Sequence, residues 1–80
     1  MRQKEIHIDY NTFGGRLYKE IEKKFGSRYA FEKATGLCRE TILNYIGNRR
    51  HPTTITLVMM CEKLDCSADY LLFGEKRQRK

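Results

Sequence analysis

Polar and apolar positions change their period near residue 10. Ile6, Ile8 and Tyr10 alternate with Glu5, His7 and Asp9, the two-residue repeat of a half-buried strand. No later stretch offers a second strand, and a lone strand leaves its backbone groups without partners. This segment is therefore either a strand that pairs with another chain or an irregular arm packed by its isoleucines. From Asn11 onward the period is helical. Phe13, Leu17, Ile21 and Phe25 fall at four-residue spacing on one stripe, with Asn11 or Thr12 available as the cap. Gly14 and Gly15 weaken the first turn of that helix, and Gly26 ends it.

The remaining punctuation divides the chain into four further short helices. Ser27 caps a helix over residues 28–35 with Phe31 and Ala34 facing inward, and Gly36 breaks it. Cys38 stands at the N-cap of a third helix, whose apolar face is Ile42, Tyr45 and Ile46. Gly47 and Asn48 are both residue types that adopt the left-handed conformation ending a helix. Pro52 and Thr53 open a fourth helix with Leu57, Met60, Cys61 and Leu64 on one stripe and Asp65 at its stop. Ser67 caps a last helix through Phe73, stopped by Gly74. The expected organisation is an arm over 1–10, an all-α five-helix domain over 11–74 and a flexible basic tail over 75–80, EKRQRK.

Composition narrows the function. Eighty residues suit one domain and leave little room for a substrate pocket beside the core. The net charge of +6 and pI near 9.4 favour a polyanionic partner or serve solubility alone. Three cysteines without CxxC spacing point to a cytoplasmic protein rather than a disulfide scaffold. No apolar run reaches the length of a membrane span. Cys38, Cys61 and Cys66 with His7 and His51 match no tetrahedral metal pattern, and no nucleophile and base pair or phosphate-cradling loop stands out. Neither an enzyme, a cofactor, a metal site nor a small-molecule substrate is expected.

The glycine between the second and third helices carries the strongest signal. Two short helices joined by a tight turn with a glycine make a helix-turn-helix unit, in which Leu37 would plug the angle. The stretches SRYAFEKATGLCRETILNY, NRRHPT and ITLVMMCEKLDCSADYLLFG resemble, in unbroken register, the Cro and lambda-repressor type of helix-turn-helix domain, the xenobiotic response element family. The resemblance covers about Phe13 to Gly74. It implies a lambda-repressor-like fold whose recognition helix, Arg39 to Ile46, enters the major groove of double-stranded DNA.

That helix is roughly 12 Å long at 1.5 Å per residue. Arg39, Glu40, Leu43 and Asn44 match the family's base-reading positions. Arg39 suits guanine O6 and N7, Asn44 suits adenine, Leu43 a thymine methyl, and Glu40 either cytosine N4 or Arg39 itself. Arg28 at a helix N-terminus, Cys38, Asn48, Arg49 and Arg50 are the expected phosphate contacts. Residues 23–50 hold seven basic side chains against Glu32 and Glu40.

The chain departs from the family at several positions. Glu32 replaces a small residue and needs solvent or a cation, and Asp65 replaces a glycine. Tyr45 replaces a frequent tryptophan. Ile46 and Ile21 stand where some members have an ion pair, which implies an apolar contact instead. Related repressors are dimeric, so a homodimer is expected, through Ile6, Ile8 and Tyr10 or through Tyr70 and Phe73 of the last helix. The leading function is a sequence-specific DNA-binding transcriptional repressor. The alternative is a protein-interaction module on the same scaffold, such as an antitoxin or an adaptor for another regulator.

Overall fold

The computed structural model of the protein describes residues 8–74, which form five helices. These are α1 (Phe13–Phe25), α2 (Arg28–Thr35), α3 (Arg39–Ile46), α4 (Thr54–Leu64) and α5 (Ala68–Phe73). There is no strand among the described residues, and Ile8 to Tyr10 enter α1 through an irregular segment and a turn. Ile6 and the rest of the alternating pattern, like the basic tail, lie outside the described residues.

The helices begin where side chains answer free backbone donors. Thr12, Ser27, Thr53 and Ser67 accept from the amides of Gly15, Ala30, Thr56 and Tyr70, at 3.1, 3.2, 3.3 and 3.0 Å. This corrects the start of the fourth helix, which Thr53 caps and Thr54 opens; Pro52 lies ahead of it. Cys38 makes no such cap; its sulfur turns to the Thr41 hydroxyl at 3.2 Å. Gly26, Gly36 and Asp65 end α1, α2 and α4 in the left-handed region. After α3 the left-handed residue is Asn48, at φ 61°, while Gly47 sits at φ −85°.

Packing centres on α1, which touches the other four helices. Leu17 and Ile21 from α1 are fully buried with Phe31, Ile42, Met60, Leu64 and Leu71, one or two from each remaining helix. Each such side chain contributes on the order of 2 kcal/mol on leaving water. Ile46 and Ile21 both belong to this apolar cluster. Phe25 meets Phe31 edge-on, with ring centres 5.2 Å apart.

Gly14 and Gly15 do more than loosen a helix start. A Cβ on Gly14 would collide with the Ile46 and Tyr45 carbonyls, and one on Gly15 with the Asp9 carbonyl. The first turn of α1 is thus pressed directly against the end of α3. Two charged residues of α1 are also buried, Arg16 at 9% and Glu20 at 6% exposure. Arg16 donates from Nε and Nη2 to the carbonyls of Leu71 and Leu72, each at 3.0 Å. Lys24 donates from Nζ to the Leu64 carbonyl and pairs with Glu20 at 3.4 Å. Both cations therefore stand at the negative C-terminal ends of other helices, α5 and α4.

Candidate nucleic-acid interface

The turn between α2 and α3 is built by three small devices. Gly36 takes φ 79° and donates its amide to the Glu32 carbonyl at 2.8 Å. The Thr35 hydroxyl bonds back to Phe31 and accepts the Leu37 amide. Leu37 then packs, partly buried, against the core. Ile42, Tyr45 and Ile46 fasten α3 to the body, so its opposite face is presented outward. Arg39 and Glu40 are exposed on that face, with Leu43 and Asn44 half-buried beside them.

Several of these residues have partners within the protein. Arg49 donates from Nε to Asn44 Oδ1 at 3.0 Å, and the amides of Arg49 and Arg50 both reach the Asn44 carbonyl, at 2.8 and 3.3 Å. One residue of the helix thus organises the loop that follows it. Arg28 is held by Glu32 at 2.8 Å, one turn along α2, which supplies the cation that Glu32 needed.

Asn48 works as a clip. Its Oδ1 accepts the Gly14 amide at 2.8 Å, and its Nδ2 donates to Thr12 Oγ1 at 3.0 Å. It thereby binds the loop after α3 to the first turn of α1. The signal for this was its identity, since asparagine is the commonest residue after glycine at a left-handed position; its partners lie more than thirty residues away and could not be read from the sequence. Cys38 is exposed at the start of α3, and the Thr41 hydroxyl lowers its thiol from the ordinary 9.0.

Tyr10, Tyr70 and Phe73 line one cleft of about 440 Å³ with Arg16, Lys19 and Gly74. The arm and α5, expected as alternative contact surfaces, meet there. Tyr10 and Phe73 are exposed, Ile8 and Tyr70 half-buried against the core. The sequence reading missed Leu72, which is 46% exposed beside them.

Two helices set by a left-handed glycine within a five-helix body define a helix-turn-helix domain. A solved structure, the P22 c2 repressor protein in complex with a synthetic operator, matches with a TM-score of 0.71 and 29% identity, over 80% of this chain and 97% of that one. The chain has the lambda-repressor-like helix-turn-helix fold. No protein-family model and no curated protein matches it. No helix among the described residues is long and apolar enough to cross a membrane.

Proposed function

We propose that this protein is a sequence-specific DNA-binding transcriptional repressor that acts in the cytoplasm as a homodimer and reads the major groove with α3. The observation that carries this reading is the outward face of Arg39, Glu40, Leu43 and Asn44 on a helix held from behind by Ile42, Tyr45 and Ile46. Its likeness to an operator-bound repressor, over nearly all of that chain, supports the same orientation.

In this reading Arg39 forms a bidentate pair with guanine, and Asn44 exchanges Arg49 for an adenine edge. Leu43 meets a thymine methyl, and Glu40 accepts from cytosine N4 or steadies Arg39. Arg49, Arg50 and Arg28 supply phosphate contacts beside the groove, with Cys38 at the helix start and Asn48 positioning the loop. The cleft flanked by Tyr10, Tyr70 and Phe73 is the proposed dimer face, with Ile8 behind it and Ile6 in the same arm. Reading two half-sites requires that the two reading heads of this dimer stand about one helical turn of DNA apart, roughly 34 Å.

Selection from a pool of random duplexes tests the reading. Recovery of a palindromic site with two half-sites is the expected result. Uniform, salt-sensitive binding to every duplex would remove the claim of sequence reading.

A further inference from the structure

Two of the three cysteines meet at the junction of α4 and α5, away from the DNA-facing helices. The end of α4 is a six-to-one turn, in which the Cys66 amide donates to the Cys61 carbonyl at 3.1 Å while Asp65 takes φ 55°. This kind of helix ending brings the side chains of its first and last residues together, normally as an apolar contact. Here both residues are cysteines, close enough for each thiol to shift the other. Neither is sealed in the core: both are half-exposed and line an open cleft of about 530 Å³ with Val58, Glu62 and Ala68.

We propose that Cys61 and Cys66 form a dithiol site that oxidants of the peroxide class close to an intramolecular disulfide. The helix ending supplies the proximity that a disulfide requires without moving the backbone far. Cys61 attacks first in this sequence, since burial raises its thiol less than that of Cys66. It displaces water from hydrogen peroxide and becomes a sulfenic acid. The Cys66 sulfur then attacks that sulfur and releases a second water. Two thiols and one peroxide thus give one disulfide and two waters. Burial raises both thiols, Cys66 to about 12, so closure is slow at neutral pH and is reversed by thiol reductants. The site stands independently of the proposed DNA reading, since neither cysteine belongs to α2, α3 or the loop after them.

Tryptic cleavage after Lys63 separates the two cysteines, which makes the bridge directly visible. The full chain is treated with hydrogen peroxide, its remaining thiols are alkylated, and it is digested without reduction. The expected product is peptide 51–63 linked to peptide 64–76 with the loss of two hydrogens, from protein that migrates as a single chain on non-reducing electrophoresis. The same two peptides recovered separately, whether alkylated or carrying sulfinic acid, would overturn the proposal, as would linkage found only between copies. Phenylarsine oxide provides a second measurement, because it bridges two neighbouring thiols with the loss of one water. One adduct should form on the wild-type chain and on Cys38→Ser, and none on Cys61→Ser or Cys66→Ser. An adduct that survives either of the last two substitutions sinks the pairing.

Discussion

Asn44 and Arg49 hold each other through one hydrogen bond, so the proposed reading side chain and its neighbouring cation restrain one another. Arg39 has no such restraint among its described hydrogen bonds and is exposed at the start of α3. The two positions should therefore behave differently on substitution. Arg39→Ala should weaken binding to the selected duplex by roughly 10- to 100-fold while leaving affinity for unrelated duplexes nearly unchanged, the signature of a lost base contact. Titrations of both duplexes at one salt concentration decide this; an equal loss on both would make Arg39 a phosphate contact. Asn48 makes its own prediction. Asn48→Ala removes two hydrogen bonds and leaves at φ 61° a residue without asparagine's tolerance of the left-handed region, for an expected loss of about 2–3 kcal/mol. Asn48→Gly tolerates that φ and should be less damaging by up to about 1 kcal/mol. Urea denaturation of the two variants measures the difference; identical midpoints would show that backbone conformation contributes nothing there.

At the level of helices, most boundaries and the apolar stripes were legible from local signals. Caps, glycines and four-residue spacing act within a turn or two, so they can be read from neighbours in sequence. What escaped was long-range. Arg16 sits on the flank of α1 beside the Leu17 stripe, and by residue type it reads as a solvated charge; only the arrival of α5 turns it into a buried cap. Gly14 and Gly15 read as weak helix formers, whereas the closeness of α3 and of Asp9 makes them necessary. The candidate site was legible in its register but not in its internal bonds, because Asn44, Arg49, Asn48 and Gly14 converge only in three dimensions. Arg16→Met keeps the apolar stem and removes two charge-assisted hydrogen bonds to the α5 carbonyls, with an expected cost of about 2–4 kcal/mol. Hydrogen exchange should accelerate most at the Phe73 and Gly74 amides. An unchanged denaturation midpoint would mean that α5 is held by its apolar contacts, Leu71 and Tyr70, without help from Arg16.

For the molecule as a whole, the proposed function makes binding strongly dependent on salt. Each phosphate neutralised should add roughly 0.9 to the magnitude of the log-log salt slope. Arg50→Ala should therefore lower the slope by about that amount on any duplex; an unaltered slope would place Arg50 off the backbone. Stability carries a separate pH signature. Folding raises the Cys66 thiol from 9.0 to about 12, so the folded state favours the uncharged form. That contribution is complete below pH 9 and declines as pH rises from 9 towards 12, where the unfolded chain ionises first. Thermal melts across this window should fall more steeply for the wild type than for Cys66→Ala; parallel curves would assign the decline to other groups.

Thr12 ties the arm to the loop after α3 through a single oxygen. Its Oγ1 donates to the Asp9 carbonyl at 2.7 Å and accepts from the Gly15 amide and from Asn48 Nδ2. A hydroxyl has one hydrogen and two lone pairs, and all three are in use. The rotor is thus locked, with no vacancy for water to lubricate a shift. Asp9, the opening turn of α1 and the loop bearing Arg49 and Arg50 behave as parts hung from one pivot. A pull on the arm reaches the arginines through that joint or breaks it.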